Sequence, residues 1–163
     1  MIVSHRSRGH NRNWVRSGIA VAEFAILSPF IAFLVIGMCE MGRAVMVKDI
    51  LTNASRKGCR TGATAFRVYD DIINDATNIL NDNNLKAAKA TITVQVAPYT
   101  GTSSSPSWGP FVPATDDASF TPGAMDMISV KVSLGVTDVL WFSPFFLPST
   151  AVESETVVML RQG

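Results

Sequence analysis

The chain is short of the residues that do most side-chain chemistry. It has two histidines and two cysteines in 163 residues, and both histidines, His5 and His10, fall within the first ten. A catalytic imidazole or a histidine-rich metal site is therefore excluded from all that follows. Cys39 and Cys59 are 20 positions apart, about 30 Å along a continuous helix, so they cannot pair with each other. They read as small residues that tolerate apolar surroundings, with an intermolecular bridge through Cys59 as the alternative outside the cytoplasm. A phosphate-cradling glycine loop and a nucleophile–base pair are also missing, so neither a cofactor nor a small-molecule ligand is expected.

Charge is missing most conspicuously in one stretch. No Lys or Arg lies between Arg16 and Arg43, and Phe24 to Cys39 holds no charge of either sign. From Ile19 to Cys39 the only ionisable acid is Glu23. A helix of about 20 residues crosses a hydrocarbon core roughly 30 Å thick, so residues 19–40 are predicted to be a transmembrane helix in a lipid bilayer. Residues 1–18 form a basic leader with Arg6, Arg8, Arg12 and Arg16 and no acid. Setting those four aside leaves 10 basic residues against 13 acids. The positive-inside rule explains the arginines: they keep the N-terminus cytoplasmic and send the rest across the inner membrane. A nucleic-acid partner is the weaker explanation of the same arginines. Trp14 suits the headgroup level.

The kind of leader matters. A conventional signal peptide has a shorter apolar core and a small-x-small cleavage site, and Ile36-Gly37-Met38-Cys39-Glu40 offers none. Lipidation at Cys39 wants a small residue before it, and Met38 is not small. There remains Gly18-Ile19-Ala20-Val21-Ala22-Glu23-Phe24, in which a glycine precedes the apolar run and a carboxylate lies five positions on. A carboxylate in a membrane helix costs about 2.5 to 3.5 kcal/mol at the bilayer centre, and less near the interface or with a partner. A cut between Gly18 and Ile19 would place Glu23 near a new α-amino group, and in a helical assembly a neighbour's amine and Glu23 can pair. An interfacial acid near the cytoplasmic face is the plainer reading. Pro29 frees a backbone carbonyl inside the run, with Ser28 beside it to satisfy the backbone; it bends the helix or serves packing.

These residues resemble the type IV pilin class, and within it the TadE-like proteins of the tight-adherence (Flp) pilus system. The resemblance rests on Gly18, Glu23 and Phe24, then Ser28-Pro29, then Glu40-Met41-Gly42-Arg43, then Asn53-Ala54-Ser55-Arg56-Lys57-Gly58-Cys59-Arg60. It covers about residues 17–62. Met41, Lys57 and Cys59 depart from the family pattern, which prefers an aromatic, an acid and an alanine there. The resemblance implies a pilin-like fold, processing by a prepilin peptidase after Gly18, and a minor-pilin or pseudopilin role. It also implies that Glu23 and Phe24 serve assembly, and that the partners are other pilins and the assembly platform.

Beyond the membrane the helix is expected to continue over 41–66. Ala54, Gly58 and Gly62 fall four apart and line one face, which permits close packing against the chain's own domain or a partner helix. Residues 67–163 are expected to form a small α+β exterior domain. Tyr69, Ile72, Ile73, Ala76, Ile79 and Leu80 recur at helical spacing over Val68–Asn81, and Asn81-Asp82-Asn83-Asn84 ends that helix. Period-two alternation predicts strands at Thr91–Val96, Met127–Leu134 and Ser149–Arg161. About three antiparallel strands result, separated by a long loop at 98–124 that Trp108, Phe111 and Phe120 pin to the sheet or offer for recognition. Val139–Pro148 is apolar, proline-broken and too short to span lipid.

The sequence points to a structural pilus component. Two alternatives stand beside it: an uncleaved single-pass protein whose exterior domain is a binding module, and an anchored hydrolase using Asp116, Asp117 and Asp126.

Overall fold

The second half of one long helix supplies the surface on which the folded part is built. The structure, a computed structural model, describes residues 13–64, 66–139 and 151–162. Helix α1 (Asn13–Ala63) is unbroken over 51 residues. It begins inside the predicted leader, since nothing between Asn13 and Ser17 is a helix breaker. Residues 1–12, with His5, His10, Arg6, Arg8 and Arg12, lie outside the described residues. Among those described, α1 is the one helix long and apolar enough to cross a membrane by length and composition. The chain divides into two compact units between Cys39 and Glu40.

The second unit is α+β. Helix α2 (Tyr69–Asp82) follows α1, close to its predicted range. Its start is tied by the Val68 N–H donating to Asp71 at 3.4 Å and the Asp70 N–H donating to Asp117 at 3.3 Å. Its end is a Schellman motif: Leu85 N–H donates to Leu80 O at 2.9 Å and Asn84 N–H to Asn81 O at 2.9 Å. Asn84 takes the left-handed conformation this requires, with φ 55°. Leu85 is buried beneath the turn.

A 3₁₀ turn, Ala87–Lys89, leads into a five-stranded antiparallel sheet. Its strands are β1 (Thr91–Ala97), β2 (Val112–Ala114), β3 (Met127–Gly135), β4 (Ala151–Glu153) and β5 (Val157–Leu160). A short helix α3 (Val136–Val139) follows β3. The order is β2-β1-β3, with β4 and β5 both pairing along the far edge of β3.

The sheet has more strands than the three expected, for two reasons. The predicted last strand is one strand interrupted by a bulge. β4 pairs Ser133 with Glu153, whereas β5 pairs Val130 with Val157. Three steps along β3 thus match four along its partner, so one extra residue is accommodated. Ser154 fills the irregularity: its N–H donates to Val132 O and its hydroxyl accepts from Val132 N–H at 2.9 Å. The other addition is β2, which lies inside the predicted loop.

Much of that loop is paired. Tyr99 bridges to Trp108 and Thr102 to Ser105, so residues 98–109 form an extended hairpin. The Tyr99 and Trp108 rings meet edge to face at 5.7 Å, and the Trp108 indole donates to Met125 O at 3.0 Å. Gly101 is required here, since a Cβ would lie 2.3 Å from Ser107 N. Phe120 is buried while Phe111 is exposed, so two of the three loop aromatics fix the loop and one does not.

The core lies between one face of the sheet and the two helices. Val94, Ile128, Val130 and Val132 of the sheet join Leu51, Ala54 and Cys59 of α1 and Ile72, Ala76 and Leu80 of α2. Each large aliphatic side chain buried there contributes about 1.5 to 3 kcal/mol. A hydroxyl–carboxylate contact also ties α1 to α2: Thr61 donates to Asp75, and Lys57 lies 3.4 Å from the same carboxylate. The Thr61 hydrogen bond first, and Lys57 with it, hold the Asp75 carboxyl below its ordinary range. The apolar segment expected at 139–148 lies, after Val139, outside the described residues.

Candidate membrane and assembly segment

The residues that carry the family resemblance all lie on α1, and the helix presents them in two different ways. From Ile19 to Met38 the side chains are exposed on every side: Val21 is 68% exposed, Phe24 66% and Ile26 76%. Glu23 sits exposed among them, and nothing lies within 4 Å of a Cβ built on Gly18. A helix that is apolar all round is stable only when lipid or other apolar helices cover it.

The helix runs through Pro29, and the backbone is satisfied locally. Proline lacks the N–H that residue 29 would donate to the carbonyl of residue 25. The Ser28 hydroxyl donates to that carbonyl, Ala25 O, at 3.3 Å. The Ser-Pro pair is thereby compatible with apolar surroundings, where an orphaned carbonyl costs several kcal/mol.

After Cys39 the pattern changes. Glu40 is buried, and the Arg43 guanidinium donates to Val139 O. Gly42 is exposed, with open space around its Cα. Val47, Leu51, Ala54, Ser55, Gly58, Cys59 and Gly62 are buried in succession. A Cβ on Gly58 would lie 3.2 Å from Ile72 Cγ2, and one on Gly62 2.8 Å from Ile72 Cδ1. The small residues thus admit α2 and β3 to the surface of α1. Asn53, Arg56 and Arg60 of the same motif point away from this packing and are exposed.

Cys59 has no exposed surface, which excludes the intermolecular bridge considered for it. Its thiol lies 3.1 Å from Ile128 O, and burial pushes its pKa up to about 11. Cys39, in the apolar segment, is exposed and free.

The three acids of the hydrolase alternative do not converge. Asp116 accepts from Ser119 N–H at 2.8 Å and closes its own turn. Asp117 caps α2 through Asp70 N–H. Asp126 is buried and accepts from Tyr99 N–H at 2.7 Å and Gly123 N–H at 2.6 Å, binding the hairpin to the sheet. The structural use of Asp126 was not visible in its sequence neighbourhood, because its partners lie 27 and three residues away. Among the described residues, no group of three or more His, Cys, Asp or Glu is placed to hold a metal ion.

Comparison with curated proteins and with solved structures found no significant match to the chain. The comparison with family models did: residues 18–60, the stretch whose motifs run from Gly18 to Arg60, match the TadE-like protein family.

Proposed function

We propose that the chain is a minor pilin or pseudopilin-like component of the tight-adherence (Flp) pilus system, structural rather than catalytic. The TadE-like match associates the chain with that pilus system. In this reading the N-terminus is cytoplasmic, residues 19–40 cross the inner membrane, and residues 41–163 lie outside. A prepilin peptidase cuts between Gly18 and Ile19, and the processed chain joins other pilins on the assembly platform.

The observation that carries the reading is the exposed apolar segment with Glu23 as its one charge. That segment needs cover from lipid or from neighbouring helices, and both are available in a pilus assembly. Glu23 needs a cation when lipid is replaced by neighbours, and a neighbour's Ile19 α-amino group supplies one after the cut. Phe24 beside it extends the apolar contact. Glu40, Gly42, Arg43 and the Asn53–Arg60 motif then belong to the part that joins the membrane segment to the folded domain.

Glu23→Ala tests the pairing. The variant is expected to insert into the membrane as well as the parent, because it removes a charge from an apolar helix. It is expected to be lost from the sheared pilus fraction, measured by immunoblot against the membrane fraction. Incorporation at the parent level would contradict the pairing of Glu23 with a neighbour's amine.

A further inference from the structure

Two hollows lie along one flank of α1, one facing Glu155 and the other the C-terminal strand, and in line they make a groove. One part, with a volume of about 520 Å³, lies between Lys48, Asp49, Asn53 and Arg56 of α1 and Glu155. The other, about 490 Å³, lies between Arg60 and Ala63 of α1 and Met159 and Leu160. The lining positions of α1 advance by three or four residues and so share one face. From Val45 to Ala63 that face is about 27 Å long, the span of about eight extended residues.

The strand side of the groove is an open sheet edge. Among the described residues β5 pairs with no strand but β3, and its outer edge is closed just beyond Leu160, where Gln162 N–H donates to Ala63 O of α1 at 3.0 Å. Arg161 N–H donates to Asp126 O at 2.8 Å in the register that joins Met159 to Ile128 and Val157 to Val130. Antiparallel strands alternate the direction of their backbone groups, so Val158 and Leu160 turn their N–H and C=O groups away from β3. Neither has a backbone partner among the described residues. β5 carries no proline, lysine or other charge of the kind that blunts an exposed edge.

The helix side is cationic. Lys57, Arg67, Lys86, Lys89 and Lys131 each have a carboxylate within ion-pair distance. Lys48, Arg56 and Arg60 are exposed and form no ion pair among the described residues. Arg161 stands at the same end as Arg60 and donates to Gly62 O at 3.4 Å. The groove's own acids, Asp49 and Glu155, line the same part as Lys48 and Arg56, whereas the part at Arg60, where Arg161 also stands, has no acid in its lining. This placement accounts for the half of the Asn53–Arg60 motif that core packing does not use.

We propose that this groove takes an extended acidic segment of a partner protein. The segment adds as a strand to the outer edge of β5 and sets its carboxylates against Arg56 and Arg60. Backbone pairing supplies adhesion along the edge, and the arginines select for acidic side chains. All the residues involved lie in 40–163, so the inference does not depend on the proposed cut after Gly18.

The test uses the whole chain in detergent micelles and two end-blocked synthetic peptides of about seven residues. One alternates valine with glutamate and the other valine with lysine. The glutamate peptide is expected to bind at least about tenfold more tightly by fluorescence anisotropy. It should also slow amide exchange at Val158 and Leu160 and leave Met159 unchanged. Arg56→Glu with Arg60→Glu, both exposed positions, is expected to invert the preference toward the lysine peptide. Equal binding of the two peptides, or unchanged exchange at Val158 and Leu160, would overturn the proposal. So would a peptide-free dimer protecting the same amides, which would give the edge to a second copy of the chain.

Discussion

The two halves of α1 are alike in backbone and opposite in what they need. From Ile19 to Cys39 the helix buries almost nothing of itself, and Met38 is still 75% exposed. After Glu40 it buries a stripe from Val47 through Gly62 against α2 and the sheet. Length and helix propensity do not distinguish them. The spacing of apolar residues does: it is continuous in the first half and recurs at three- and four-residue intervals in the second. A continuous apolar surface requires cover from other molecules, whereas a stripe is covered from within the chain.

The largest expected effect comes from truncating one leucine in each half. Leu51 is fully buried, so Leu51→Ala should destabilise the folded unit by about 2 to 5 kcal/mol. Leu34 is 54% exposed, so Leu34→Ala should leave the unfolding of that unit within about 0.5 kcal/mol of the parent. Denaturant unfolding of the micelle-held chain, followed by near-ultraviolet circular dichroism, measures both. Equal losses would mean that the first half is also packed from within.

A smaller effect is expected from enlarging two glycines. Gly62→Leu forces atoms into Ile72 and Ile128, where even a Cβ would lie 2.8 Å and 3.3 Å from them. It should cost about 1 to 3 kcal/mol. Gly42→Leu meets open space and replaces a poor helix former, so it should be neutral or stabilising by up to about 1 kcal/mol. The same unfolding experiment sharpens where the change from exposed to packed helix takes place.

The smallest effect separates the two thiols. Cys59 is neutral and buried, with its pKa pushed up to about 11, whereas the unfolded thiol ionises near its ordinary 9. Above pH 9 the unfolded chain releases a proton that the folded chain retains, so stability is full below that pH and falls as pH rises toward 11. The loss across that window is on the order of 1 to 3 kcal/mol, and Cys59→Ala should remove it. At pH 8 an alkylating reagent should label Cys39 in detergent and spare Cys59. Labelling of both in the folded chain would show that the second half of α1 opens.

Local pattern made much of the fold legible. The bounds of α2, β1 and β3 follow from period, and its closing turn from four polar residues in a row. What escaped had no local signal. β2 is three residues long with proline at its centre, Val112-Pro113-Ala114, and proline removes the donor by which a strand is recognised. The hairpin at 98–109 hides behind Ser, Thr, Pro and Gly because its pairing is carried by backbone and by one pair of aromatic rings. The bulge at Ser154 escaped because one inserted residue keeps the strand's composition and shifts only its register. The motif of the candidate segment was legible, and so was its inward face, from the four-residue spacing of Ala54, Gly58 and Gly62. What had no local signal is that α2 and β3 are the elements packed on it.

The central claim is that the chain is processed like a pilin before its apolar half finds cover. The most direct measurement is the N-terminal residue of the protein extracted from membranes that contain the prepilin peptidase, by intact mass and end sequencing. The account predicts a chain that begins at Ile19 and has lost the four arginines of its leader. A chain from those membranes that still carries Arg6, Arg8, Arg12 and Arg16 would contradict it and leave an anchored protein whose exterior domain acts by binding alone.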